Sequence, residues 1–441
     1  MNADLRAKTI SADEAAELVK SGDWVDFGAG LSQPDLFDEA LARRKDALRG
    51  VRIRACVTMS PRAVLESDPT GEHFLWFNWH FSGHDRGSNT GGRCNYIPMN
   101  FGEAPDYYRR FLDPVDVACI KTTAIDEDGW FNYAATNANT DAILERAKVI
   151  IVETSTAMPH VRSDGGRIHL RDVHYVIDGG ENPLPELANP PVTEVDHRVA
   201  TLIAEQIDDG ACLQIGIGGM PNAVCLLLKD AGLEDLGIHT EMFVDGMVDL
   251  IESGVANGAR KQMNKGEAVF TFAGGSRHSY DFLDRNPSVR SCPVDYTNLP
   301  DQIARNDRVV SINNTTQIDL QGQAASESDG HRHLTGTGGQ LQFVRGAYAS
   351  KGGKSFLCLA STYERHGVRR SRIVTALTPG NIVTTPRTDV MHVVTEYGSV
   401  CLKGKSVAER ATALIALAHP DYREELEREA RQQGMIPKHF F

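Results

Sequence analysis

The sequence predicts an α/β protein built from two related open domains with mainly parallel sheets, and three observations carry that prediction. A helix, a strand, a glycine loop and a second helix follow one another near the start of the chain. The same order recurs 188 residues later, and a proline-rich stretch separates the two copies. An echo of that period is too long for a solenoid repeat, so it points to duplicated domains. The 441 residues, 41% of them hydrophobic, are enough to bury more than one core.

Ser11 followed by Glu14 forms a capping box, in which each side chain satisfies a backbone donor at a helix start. A helix from Ala12 to Lys20 follows, and Ser21-Gly22-Asp23 stops it. The run Trp24 to Phe27 is a strand, after which Gly28-Ala29-Gly30 leads through Pro34 into a helix bearing Leu36, Phe37, Ala40 and Leu41. The second copy has a helix through Val199, Ile203 and Ile207, a stop at Asp209-Gly210, and a strand from Cys212 to Ile215. It ends in Gly216-Ile217-Gly218-Gly219-Met220-Pro221, so that Gly22 matches Gly210 and Gly28 matches Gly216. Between the copies, Asp178 to Asp196 holds Pro183, Pro185, Pro190 and Pro191 without helical or strand period. The domains are therefore expected at 1–190 and 191–441. A further capping box at Ser406 and Glu409 opens an apolar helix ending at Pro420, and a charged surface helix follows from Asp421. Phe74, Trp76, Phe77, Trp79 and Phe81 form an aromatic cluster that fits a core better than a ligand pocket.

The 46 basic and 59 acidic residues leave a net charge of -13, which disfavours nucleic acid and acidic lipid as partners. Eight cysteines are scattered without a CxxC pair, as expected of reduced, buried thiols. The opening MNADLRAKTI has no apolar signal core and no stretch is long enough to span a bilayer, so the expected location is the cytoplasm. HExxH, P-loop and GxSxG motifs are missing, and the pairs His80 with His84 and His331 with His333 lack the companions of a metal site, so no metal is expected.

Chemistry concentrates in three places. Gly216 to Met220 sits between a strand and a helix, where backbone N–H groups converge and can cradle a phosphate or an oxyanion; a tight turn needing glycine is the plain alternative. A dinucleotide site is disfavoured because Pro221 stands where a third glycine belongs. The segment Leu236 to Val244 (LGIHTEMFV) reads as one strand ending near Asp245-Gly246, which puts Glu241 close to the ligand-binding edge of an open sheet. A partly desolvated carboxylate there is a better nucleophile than one in water, while a solvated strand-end acid is the alternative. The cluster Gly336-Thr337-Gly338-Gly339-Gln340 can present N–H donors to an oxyanion or can simply turn twice. Arg345, Lys351 and Lys354, with Arg369, Arg370 and Arg372, add positive charge suited to phosphates, and Lys351 is taken as the candidate. Asn313 and Asn314, after Val309 to Ile312, orient a carbonyl or cap a turn.

Together GIGGMPNAV (216–224), LGIHTEMFVDGMVDL (236–250), SINN (311–314), GTGGQLQFVRGAYASKGGKS (336–355) and VVTEYGSVCLKGKS (393–406) resemble the acetyl-CoA hydrolase/transferase family, above all its butyryl-CoA:acetate and 4-hydroxybutyrate CoA-transferases. The resemblance runs over nearly the whole chain. It implies two open α/β domains with the active site between them, and a homo-oligomer. It also implies that Glu241 becomes a glutamyl-CoA thioester, that Gly216, Ile217, Gly218, Gly219 and Met220 bind coenzyme A, and that Asn313, Gly338, Gly339 and Gln340 match the family's asparagine and GGQ motifs. Coenzyme A is then a substrate, with no permanently bound cofactor, and small carboxylates are the other partners. Gln342 departs from the Asp that many relatives carry, and the loop Gly28 to Pro34, expected to face the acyl group, differs from the butyryl enzymes. A short-chain acyl-CoA hydrolase on the same scaffold is the alternative, and a noncatalytic sensor of CoA esters a more distant one.

Overall fold

The computed structural model describes residues 3–89, 93–188 and 190–439. They fall into two compact units. The first comprises Met1–Ala188 with Val269–Thr297, and the second Asn189–Ala268 with Asn298–Phe441. The chain thus returns to the first unit once after the proline-rich stretch, which the sequence boundary at 190 does not show. The physical reason is a set of backbone bonds: Asn137 N–H donates to the Thr271 carbonyl at 2.9 Å, Ala273 N–H to Ala135 at 2.8 Å, and Val294 N–H to Ala138 at 2.9 Å.

The first unit holds a seven-stranded sheet in the order Cys94–Tyr96, Phe74–Asn78, Val51–Cys56, Trp24–Ala29, Val115–Thr122, Ala147–Thr154, Tyr175–Asp178. Every neighbouring pair is parallel. The central strands bury nearly all of their residues, as a parallel sheet covered on both faces does. Val25, Phe27, Ile53, Ala55, Phe74 and Trp76 are all buried in its core, with the Phe27 and Trp76 rings edge to face at 5.9 Å. The aromatic cluster is therefore core, and Phe77, half-buried, packs its ring 4.9 Å from Trp24. The capping box at Ser11 forms, with Glu14 accepting from the Ser11 N–H at 2.8 Å, and its helix Ala12–Glu17 ends one turn before Lys20.

The second unit holds a six-stranded sheet in the order Gly237–Ile238, Cys212–Ile215, Val309–Asn314, Lys354–Cys358, His392–Thr395, Gly398–Cys401. All pairs are parallel except the last, an antiparallel hairpin. Chain order reverses between Cys212–Ile215 and Val309–Asn314, and the carboxyl ends of those two strands are where an open sheet of this kind opens a crevice. The helix Val407–Leu417, capped by Ser406 and Glu409, lays Ala411, Leu414 and Leu417 into the core beside Leu357 and Val393. Burying one such leucine contributes about 2 kcal/mol. The helix Glu194–Ala204 stops short of Ile207, and the charged helix Pro420–Gln432 follows as the sequence suggested. Among the described residues no cysteine forms a disulfide, and seven of the eight are buried. Among the described residues no helix is long and apolar enough to cross a membrane, and no group of three or more His, Cys, Asp or Glu is placed to hold a metal.

Candidate active site

The expected strand Leu236 to Val244 is broken. Gly237–Ile238 pairs with Cys212–Ile215, the His239 N–H makes a last bond to the Leu213 carbonyl at 3.0 Å, and regular pairing with this sheet ends there. Residues 239–241 belong to no strand, and Met242–Phe243 resumes extended geometry. Glu241 therefore sits just past the carboxyl edge of the second unit's sheet, in the break itself. Thr240, fully buried, holds the bend by donating to the Met242 carbonyl at 3.1 Å.

Glu241 keeps a partly exposed edge, yet protein crowds the carboxylate. Burial is the largest influence on it and pushes its pKa up to about 7 from 4.5. Two hydrogen bonds oppose that rise, from the Asn298 side chain and then from the Gly339 backbone. Asn298, fully buried where the chain re-enters this unit, donates its Nδ2 to Glu241 Oε2 at 2.5 Å. Gly339 is glycine because its neighbours leave no room: a β-carbon there would run into both Glu241 Oε2 and Asn298 Nδ2. The result is a carboxylate with raised basicity and fixed direction, which is the preparation a nucleophile needs.

The other sequence candidates divide. Gly216 lies at the end of its strand as expected, donating its N–H to Ile312 at 2.9 Å, and Gly219 starts the helix Gly219–Lys229. Asn314 Nδ2 ties the loop down through the Ile217 carbonyl at 3.2 Å, leaving the Ile217 side chain 56% exposed as an apolar contact, while Met220 is buried. A β-carbon at Gly219 would lie 2.8 Å from Asp196 Oδ2, so this helix start already has a carboxylate beside it.

Asn313, expected to orient a carbonyl or cap a turn, has its side chain bonded within the sheet. Its amide exchanges two bonds with Gln214, at 2.9 and 3.1 Å, across adjacent strands, and the amide on Glu241 is that of Asn298. Gln340 starts the helix Gln340–Ala349 and spends its amide N–H groups on Ser326 Oγ at 2.8 Å and Thr385 Oγ1 at 3.0 Å, so it anchors the Gly338-Gly339 turn rather than reaching for a ligand. Lys351 is at the amino edge of the sheet. Its carbonyl accepts from the Arg308 N–H at 2.8 Å, just before Val309–Asn314 and Lys354–Cys358 begin, whereas Glu241 lies beyond the opposite, carboxyl edge. Lys354 is bound to the Gln206 carbonyl and Asp208, Arg345 to Asp389, and Arg369 to Asp421.

Sequence reasoning missed Asn298 and Gln214. A lone glutamine in the otherwise apolar strand CLQI was a signal for the second. Nothing in DYTNLP distinguishes Asn298 from an ordinary turn asparagine.

Against known proteins, the family description "Acetyl-CoA hydrolase/transferase N-terminal domain" matches residues 2–187 and the corresponding C-terminal domain matches 275–430. The chain is 42% identical to the butyryl-CoA:acetate CoA-transferase of Anaerostipes caccae, covering 97% of each. It is 38% identical to the 4-hydroxybutyrate coenzyme A transferase of Clostridium kluyveri, over 97% of this chain and 98% of that one. The crystal structure of RipA from Yersinia pestis superposes with a TM-score of 0.91 at 36% identity, covering 99% of this chain and all (100%) of the other.

Proposed function

Because this chain belongs to the acetyl-CoA hydrolase/transferase family, we propose that it is an acyl-CoA:carboxylate CoA-transferase working through a glutamyl-CoA thioester on Glu241. Its donors are short-chain acyl-CoAs of the butyryl or 4-hydroxybutyryl type, and its acceptor is a free carboxylate such as acetate. The observation that carries the reading is the Glu241 carboxylate itself, raised to about 7 by burial and held on Oε2 by Asn298.

The carboxylate attacks the thioester carbonyl of acyl-CoA; the C–S bond breaks, releasing CoA thiolate and leaving a mixed anhydride. The thiolate adds to the glutamyl carbonyl, and the first carboxylic acid departs as its anion with one glutamyl oxygen. An enzyme thioester remains. An incoming carboxylate reverses both steps and leaves as its CoA ester, so no external energy source enters the balance. The Asn298 amide and the Gly339 N–H already point at this carboxyl and stay beside it as charge develops on its oxygen; one such donor contributes about 3 kcal/mol. The Gly216 to Met220 loop, with exposed Ile217, suits the apolar pantetheine arm of coenzyme A. Binding energy from that remote part positions the thiol. Water must be kept out, since its attack on anhydride or thioester converts transfer to hydrolysis. The homo-oligomer implied by the resemblance and the cytoplasmic location expected from the sequence belong to the same proposal, and light scattering on the purified protein tests the first.

Product analysis with butyryl-CoA, with and without acetate, is the test. Acetyl-CoA formed only when acetate is present supports transfer, whereas free CoA released equally in both tubes identifies a hydrolase. Hydroxylamine added during turnover should leave a hydroxamate on Glu241, detectable by peptide mass. Wild-type rates in Glu241→Ala would remove the glutamyl mechanism.

A further inference from the structure

Gly237–Ile238 is an edge of the second unit's sheet, and buried edge carbonyls require partners from outside the ladder. The chain supplies them by doubling back. Leu236 N–H donates to the Val255 carbonyl at 2.9 Å, and Gly258 N–H to the Leu236 carbonyl at 2.8 Å. Lys261 extends from this returning loop and is only 5% exposed. Its Nζ donates to the carbonyl of Ile238 at 2.8 Å and to that of Glu267 at 2.6 Å. The aliphatic stem lies flat on Gly237, where a β-carbon would come within 2.5 Å of Lys261 Cγ. Burying an ammonium group is costly unless its protons are bonded, so this placement has a purpose that a leucine could not serve.

Ile238 is the last residue of the strand before the break that carries Glu241. The influences on the Glu241 carboxyl are burial, Asn298 and Gly339, and Lys261 is not among them. Its contact before the break is with the backbone, at the Ile238 carbonyl. We propose that Lys261 is a positioning residue for Glu241: by pinning the Ile238 carbonyl to the returning loop it fixes where the strand ends, and so holds Glu241 within reach of Asn298 and Gly339. The inference rests on Glu241 being the nucleophile. Misplacing a reacting group by about 1 Å can cost about 10²-fold in rate.

The test pairs Lys261→Met with Asn306→Ala. Asn306 pins the same loop at another point, its Oδ1 accepting from the N–H groups of Gln262 at 3.2 Å and Met263 at 3.0 Å. Lys261→Met should lower kcat by about 10-fold to 10²-fold with KM for acyl-CoA within about threefold of wild type, and should speed amide exchange over residues 237–242. Asn306→Ala should lower the melting temperature while leaving kcat and exchange at 237–242 unchanged. Wild-type kcat with wild-type exchange in folded Lys261→Met overturns the proposal, and so does an equal loss of kcat in Asn306→Ala. If the Met variant does not fold, Lys261→Arg, whose longer planar head changes the geometry of both carbonyl bonds, is read by the same criteria. Amide exchange needs no turnover, and an active Glu241→Ala would sink the glutamyl reading without touching it, so the two failures are distinguishable.

Discussion

Replacing Glu241 with Gln should stabilise the protein at alkaline pH while abolishing transfer. Burial raises this carboxyl to about 7 from 4.5, so the folded chain keeps a proton that the unfolded chain gives up between those values. Wild-type stability therefore falls as pH rises through that window and stays lower above it. A separation of this size corresponds to at most about 3 kcal/mol at pH of about 8, and to almost nothing near pH of about 4.5. Gln occupies the same volume, and its Oε1 can accept from Asn298 Nδ2 as the carboxylate does, so the hydrogen bond survives the change. For a unit of this size each kcal/mol moves the melting temperature by about 2–4 °C, and the variant should melt higher by up to about 6–12 °C at the upper pH and converge with wild type in acid. Thermal unfolding of both proteins across that range, with a transfer assay alongside, is the measurement. A melting difference independent of pH would refute the reasoning, because only a titrating group produces the convergence.

Ionised Glu241 is the reactive form, so kcat/KM in the wild type should fall as pH drops below about 7, following the value that burial sets. Asn298→Ala should reduce kcat by about 10²-fold, and because the lost bond lowers the Glu241 pKa, the acid limb of the pH profile should move upward. Gly339→Ala puts a β-carbon on Glu241 Oε2 and Asn298 Nδ2; transfer should be nearly lost while circular dichroism stays native. Lys351→Ala, at the far edge of the sheet, should leave KM for acyl-CoA within about twofold of wild type, and a larger rise would return that residue to the binding site.

What could be read from the sequence follows from where the determining interactions lie. Local signals held: the capping boxes at Ser11 and Ser406 formed because both partners lie within one turn. The strand Cys212–Ile215 and its glycine loop appeared where hydrophobic pattern and turn chemistry coincided. Glu241 was visible as a candidate through the motif around it, but the break that presents it was not. LGIHTEMFV contains no turn residue at positions 239–241, and the bend is held by tertiary partners. Asn298 lies 57 residues from the carboxylate it bonds, a separation over which pattern carries no information. The surroundings of Asn313 and Lys351 were hidden for a related reason: residue type suited the task, but the bonds to Gln214 and the strand direction are properties of the folded sheet.

The return of Val269–Thr297 to the first unit means that neither unit is a single run of polypeptide. During synthesis the segment around Ala135 and Asn137 leaves the ribosome well before Thr271 and Ala273 exist, so its backbone groups must wait for bonds that later chain supplies. The second unit is likewise interrupted, and Glu241 emerges before Asn298 and Gly339. A gene cut at the prolines near residue 190 would therefore yield two fragments, one missing part of its own unit and the other carrying a segment with nowhere to dock. The surroundings of the nucleophile are complete only once the chain has been made through Gly339.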